Sequence, residues 1–172
     1  MDIGANIGDT PIYFASMGAK HVYALEPVPN IYQIALDNIK LNRLEDKVTL
    51  INAAAGSKDG EILVSTNIDV KDSGKYSINN TGGFKVPMYS IRKIRDMVKD
   101  PYLLKMDCEG CEADIILNSE LDFERIVFEA HYNITHVPHK KLLSKLKEEK
   151  YKCWSKMWLG YGVEIFECVK AT

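Results

Sequence analysis

An excess of charge of either sign is the first thing this 172-residue sequence lacks. Its 22 Lys and Arg stand against 24 Asp and Glu, a formal net charge of −2. That balance gives no electrostatic reason to expect nucleic acid as a partner. Long apolar runs are missing too: no stretch approaches the roughly 20 residues of a membrane span. No charged-then-apolar leader opens the chain, so the expectation is a cytoplasmic protein without a transmembrane segment. The sequons headed by Asn79 and Asn133 would have no meaning there. Cysteine is scarce. Cys108, Cys111, Cys153 and Cys168 are too few and too scattered for a disulfide framework. Cys108-x-x-Cys111 has zinc-like spacing, but no second C-x-x-C or H-x-x-x-H pair completes a site, so no metal is expected. Cys153 and Cys168 read as small buried apolar groups in neighbouring strands. Apolar chain ahead of Asp2 is also lacking. Only Met1 precedes it, which leaves a truncated first strand.

What is present is an ordinary globule. At 46% hydrophobic and 27% charged residues, the chain can bury one sizeable core, so residues 1–172 read as a single domain. Apolar spacing predicts a helix over 10–17, a strand over 20–26, a helix over 30–42 and a strand over 48–52. Residues 57–90 break this rhythm. Strands over 61–65 and 86–89 flank a polar stretch with Gly74, Asn79, Asn80, Gly82 and Gly83, which predicts a β-hairpin or flap insertion. A short helix over 91–99 follows, then a strand over 102–106, a helix through 117, a strand over 125–129 and a helix over 138–150. Two closing strands, 152–157 and 163–169, complete an α/β pattern. It implies a doubly wound, mostly parallel sheet with one antiparallel strand at the C-terminal end.

The most informative run is Asp2-Ile3-Gly4-Ala5-Asn6-Ile7-Gly8, followed by Glu26. Glycines after a strand end let the backbone turn tightly and let a ligand approach it. The helix that opens next points amide groups at that ligand. Glu26 ends the following strand, where a carboxylate grips ribose hydroxyls. A dinucleotide fingerprint needs a glycine where Asn6 stands, to seat a pyrophosphate. Asp2 beside the loop repels phosphate and suits a cation. S-adenosylmethionine, with its ammonium and sulfonium, fits. The pattern D-x-G-x-N-x-G resembles the first motif of class I methyltransferases, whose fold is Rossmann-like. A helix-cap turn with incidental glycines is the competing reading. Ala53-Ala54-Ala55-Gly56 leaves room for a flat ring such as adenine, or is a tight turn between strands.

Taken together, D-I-G-A-N-I-G-D, A-L-E-P, D-N-I-K-L-N, A-A-A-G and L-L-K-M-D-C-E-G-C-E resemble the FkbM-type methyltransferase family, over residues 2–131. Leu104 to Glu112 is the most diagnostic segment, and Asn38 and Asn42 also match. The resemblance implies S-adenosylmethionine as cofactor and methyl transfer to a hydroxyl of a sugar, glycolipid or small metabolite. Asp2, Gly4, Asn6 and Gly8 are assigned to the methionine part, Glu26 to ribose, and Pro27 and Ala54 to the adenine. Asp107 should face the donor or the acceptor.

For the catalytic base, His131 is favoured over Glu109, because an unperturbed imidazole takes a proton near neutrality. Glu109 and Glu112 would serve the dipole of a helix start equally well. The lysines from Lys140 to Lys152 read as a solvated helix face, with anion or membrane-surface binding as the lesser alternative. Two other functions compete: a cofactor-binding but inactive fragment, suggested by the truncated first strand, and a nucleic-acid base methyltransferase. The latter usually carries an N-P-P-Y-like segment where this chain has Asp107-Cys108-Glu109-Gly110. Neither the acceptor nor the oligomeric state can be read from the residues.

Overall fold

Strand and helix alternate from the first residues. The computed structural model describes residues 1–65 and 83–171. It divides into two units: Met1–Ala54 with the described part of Asp59–Tyr89, and Ala55–Lys58 with the chain from Ser90 on.

The first unit begins with β1 (Asp2–Ile3), α1 (Asp9–Ser16), β2 (Val22–Leu25), α2 (Pro29–Leu41) and β3 (Val48–Ile51). The strands run parallel, with Asp2 opposite Ala24 and Val22 opposite Val48. β1 is the two-residue stub that the sequence implies. Pro29 opens α2, where its fixed φ suits a first turn. Ile31, Ala35 and Ile39 recur every fourth residue and are buried. Ala15, Val22, Ile39 and Val48 form one core cluster. β4 (Ala54–Gly56) is short, and β5 (Gly60–Ser65) pairs antiparallel with β6 (Gly83–Ser90). Val64 and Val86 of this pair pack with Val28 and Ile31. The polar stretch bearing Gly74, Asn79, Asn80 and Gly82 lies outside the described residues.

The second unit continues with α3 (Ile91–Asp96), β7 (Leu103–Met106), α4 (Cys111–Asn118), β8 (Arg125–His131), α5 (Tyr132–Thr135), α6 (His139–Glu148), β9 (Tyr151–Gly160) and β10 (Val163–Lys170). β7 and β8 are parallel, β10 is antiparallel to β8, and β9 lies outside β10 as the edge strand. Within β8, Ile126, Phe128 and Ala130 are buried while Arg125, Val127 and Glu129 are half-exposed, the two-residue period of a strand that the buried His131 ends. Leu142 and Leu146 are the buried stripe of α6. Phe128 stacks on Phe166 with ring centroids 5.4 Å apart. The parallel strand pairs of each unit and the antiparallel β10 are the doubly wound pattern expected. The single-turn α5 was not foreseen. No described helix is long and apolar enough to cross a membrane.

The cysteine reading needs correction. Cys108 pairs with Cys111 and Cys153 with Cys168, leaving no free thiol. Glu109 and Gly110 both adopt left-handed conformations (φ 54° and 112°), and the turn brings Cα108 within 5.5 Å of Cα111. Cys153 stands directly opposite Cys168 in the β9–β10 register, at a Cα separation of 4.0 Å. Neither the turn nor the register is written in the spacing of the cysteines. Disulfides persist mainly in oxidising compartments, so the paired cysteines lend no support to the cytoplasmic expectation.

Candidate functional site

Between β1 and α1 the chain reverses within five residues. Gly4, Asn6 and Gly8 take φ of 83°, 48° and 90° to do so. The amides of Gly4 and Ala5 both donate to the carbonyl of Leu25, at 3.1 and 2.9 Å. The Asn6 amide donates to Glu26 Oε2 and the Val28 amide to Glu26 Oε1, each at 2.9 Å. Glu26, 2% exposed, thus joins the loop to the end of β2. Asp2 is fully buried at the loop's entrance. Asn6 Oδ1 is buried and has no hydrogen-bond partner among the described residues. An orphaned buried acceptor costs about 1–3 kcal/mol. A ligand donor such as an ammonium would remove that cost, so the loop fits the methionine end of the expected cofactor.

Three side chains support this loop. Asn38 Nδ2 donates to the Ile7 carbonyl at 2.8 Å, and Asn42 Nδ2 to the Asn38 carbonyl at 2.8 Å. Asn52 Nδ2 donates to the carbonyls of Glu26 and Pro27, at 2.8 and 3.1 Å. Asn52 escaped the sequence reading, since a lone asparagine after a strand carries no distinctive pattern. Gly8 serves packing: a Cβ there would lie 3.2 Å from the Cα and carbonyl oxygen of Ala35 in α2. Pro27 is half-buried and Ala54 is buried in β4.

The second unit holds an acid–histidine cluster. Glu112, in the first turn of α4, has no exposed surface. Its Oε1 accepts from the backbone amide of His131 at 3.1 Å and from Nδ1 at 3.0 Å. Its Oε2 accepts from the Gly110 amide at 3.0 Å, and the disulfide-bonded, protonless Sγ of Cys108 lies 3.4 Å away. His131 ends β8 and is 4% exposed. Its Nε2 is 3.4 Å from Glu109 Oε2 and 3.4 Å from Glu129 Oε1. Asp107 faces Lys105 Nζ at 4.0 Å, and ligand atoms of Asp107, Glu109 and His131 all lie within 4.8 Å of one another.

This crowding sets the protonation states. Burial disfavours a charged His131. Hydrogen bonds to Glu112 and Glu129, with the charges of Glu112 and Glu109, outweigh it and raise the imidazole to about 10. Burial raises Glu109 to about 7; the His131 charge opposes this, and Asp107, Glu129 and Glu112 add to it. Burial also raises Asp107, opposed by Lys105. At neutral pH the cluster therefore contains an imidazolium and a carboxyl group poised to gain or lose a proton. The sequence named Asp107, Glu109 and His131, and the structure brings them together. It assigned Glu112 only to a helix dipole, and missed that Glu112 holds His131 across 19 residues.

The model of the Methyltransferase FkbM domain matches residues 2–153. The fold resembles the crystal structure of Methyltransferase FkbM from Methylobacillus flagellatus KT, at 16% identity and TM-score 0.60, covering 97% of this chain and 42% of that one. It also resembles M. capricolum TrmK in complex with S-adenosyl-homocysteine, at 13% identity and TM-score 0.62, covering 98% of this chain and 60% of that one. A 51-residue stretch is 43% identical to the ribosomal protein L11 methyltransferase of Carboxydothermus hydrogenoformans, spanning 30% of this chain and 17% of the relative. The chain thus spans less than two thirds of the length of each of these proteins.

Proposed function

The chain belongs to the Methyltransferase FkbM domain family, and from that premise we propose that it transfers a methyl group from S-adenosylmethionine to a hydroxyl oxygen of a sugar, glycolipid or small-metabolite acceptor. The observation that carries the donor half is the 2.9 Å contact between the Asn6 amide and Glu26, which ties the glycine loop to the acid ending the next strand. Asp2 and Asn6 supply a buried carboxylate and an unmatched acceptor for a cationic donor, and Glu26 accepts from the ribose hydroxyls. Pro27 and Ala54 are the apolar groups assigned to the adenine. When bound, S-adenosylmethionine supplies a methyl carbon already activated by its positive sulfur.

The protein's remaining task is to position the acceptor and remove its proton. The acceptor oxygen forms the new bond to carbon, the carbon–sulfur pair stays on sulfur, and the hydroxyl proton leaves. His131 keeps its own proton up to about pH 10, so it is not in the form that takes another. The base assignment therefore passes to Glu109, raised to about 7 and therefore suited to accepting a proton near neutrality. His131 stabilises the charged carboxylates around it, and Asp107 of the same cluster is assigned to face the donor or the acceptor. A labelled methyl-donor assay over glycans, glycolipids, small alcohols and transfer RNA tests the reading. Label in a base-stable ether on a hydroxyl acceptor is the expected result. Label confined to RNA bases would replace the acceptor class, and no donor binding by calorimetry would sink the proposal.

A further inference from the structure

The end of β8 that carries His131 is flanked by apolar side chains that stay exposed among the described residues. The Tyr132 amide donates to the Gly162 carbonyl at 3.0 Å, and His139 Nε2 lies 3.2 Å from the same oxygen. These contacts gather α5, the start of α6 and the β9–β10 turn at one rim. Projecting from it are Trp158 (71% exposed), Tyr161 (93%), Leu159, Tyr132 and Ile134, with Trp154 and Met157 further along β9. Single exposed apolar residues are ordinary, whereas a contiguous group marks a binding surface.

Residues 132–141 and 151–162 contain no Asp or Glu, and Lys140, Lys141 and Lys152 are exposed. The acids that β10 sets opposite Trp158 and Trp154 are paired, Glu164 with His139 at 3.1 Å and Glu167 with Lys156 at 3.0 Å and Arg125 at 3.2 Å. The carboxylates at the end of β8 are those of the His131 cluster. Exposed lysines thus stand beside the aromatic and aliphatic side chains. Pairing of β9 with a strand of a second copy is opposed by the strand itself. Two register shifts, between Val163 and Glu164 and between Ile165 and Phe166, interrupt the β9–β10 ladder. Bulges and lysines are what protect an edge from strand addition. Nucleic acid is disfavoured by the aliphatic members and by the absence of arginine from both segments. Tryptophan, tyrosine and lysine together match the boundary between lipid headgroups and acyl chains, where anionic lipid attracts each lysine.

We propose that the β9–β10 turn with α5 and the start of α6 docks onto a lipid bilayer bearing anionic headgroups. The acceptor class then narrows to a hydroxylated amphiphile presented at that surface beside His131, a refinement that rests on the methyl-transfer reading; the docking itself does not.

Trp154 and Trp158 are the two tryptophans of the chain, so intrinsic emission reports on this patch. The full chain is mixed with vesicles of phosphatidylcholine alone or with phosphatidylglycerol added, and is followed by flotation and emission. Flotation with the anionic vesicles and a blue shift are expected. W158S/Y161S should weaken flotation roughly tenfold, and K140E/K141E should erase the preference for phosphatidylglycerol. Both variants should keep the thermal midpoint and the S-adenosylmethionine titration of the parent. No flotation and no shift with either vesicle would overturn the docking surface. So would binding to transfer RNA without binding to vesicles, or an emission shift that follows protein concentration alone. Lost donor binding with vesicle binding intact would instead remove the methyl-transfer reading and leave the docking standing.

Discussion

Glu26 and Glu112 are buried carboxylates that spend their oxygens on backbone amides, and this gives each an effect beyond its own position. Glu26→Ala would leave the Asn6 and Val28 amides unpaired inside the fold. At about 1–3 kcal/mol for a stranded buried donor, loss of roughly 2 kcal/mol or more in urea-denaturation stability is expected, together with weakened S-adenosylmethionine binding by calorimetry. Unchanged affinity would take Glu26 out of the donor site. Glu109 offers a kinetic test. With Glu109 raised to about 7 and His131 to about 10, kcat/KM should climb through pH 7 and stay level until His131 loses its proton. Glu109→Gln should lower the rate by roughly 10²–10⁴, the usual worth of a general base, and abolish the climb near pH 7. A profile that keeps this limb in the variant would return the base role to another group. The glycine loop and Glu26 could be picked out of the sequence by residue type and spacing, and the structure joins them through the Asn6 amide. The protonation of His131 could not be read in that way. An unperturbed imidazole suits the task, but Glu129 of the same strand, with Glu109 and Glu112 from outside it, changes its charge.

At the scale of the elements, periodicity was the reliable guide. Ile31, Ala35 and Ile39 of α2 and Leu142 and Leu146 of α6 mark helices whose buried faces can be read directly. Pairings between elements were not legible. The opposition of Cys153 and Cys168 follows from a register shared with Tyr151, Lys152 and Trp154, and a one-residue slip would have separated them. Gly8 illustrates the same limit: its motif suggested ligand approach, whereas the contact it protects is with Ala35. Gly8→Ala would force an L residue to φ 90° and push its Cβ against the backbone of α2. A loss of about 1–3 kcal/mol in folding stability is expected, the range for a residue held in a disfavoured backbone region. Calorimetric melting checks it, and a thermal midpoint equal to the parent's would show that α1 and α2 have slack at this point.

For the molecule as a whole, the acid–histidine cluster reverses the usual effect of acid on stability. His131 has a folded pKa of about 10 against an ordinary value of 6.5, so its contribution is complete below pH 6.5 and is lost as pH rises through 10. Glu109 is raised from 4.5 to about 7, so the folded state holds the extra proton between those values and loses stability as pH rises through them. Both windows slope the same way. The melting temperature should therefore fall from pH 5 to pH 10, and His131→Gln should flatten the part above pH 6.5. A midpoint that rises over this span would contradict the protonation states assigned to the cluster. The mostly parallel strands and the antiparallel C-terminal strand were foreseeable from the alternation of elements. The protonation of the cluster was not, since it depends on residues up to 24 positions apart meeting at one point.

The two-handed grip of Glu112 has a consequence for descent. One oxygen holds the turn at Gly110 and the other holds the end of β8 at His131. Neither position can be exchanged alone without stranding a partner, so residues 112 and 131 should be inherited as a pair. A lineage that abandons one would be expected to abandon both, and to rebuild the loop between Asp107 and Cys111 in the same step.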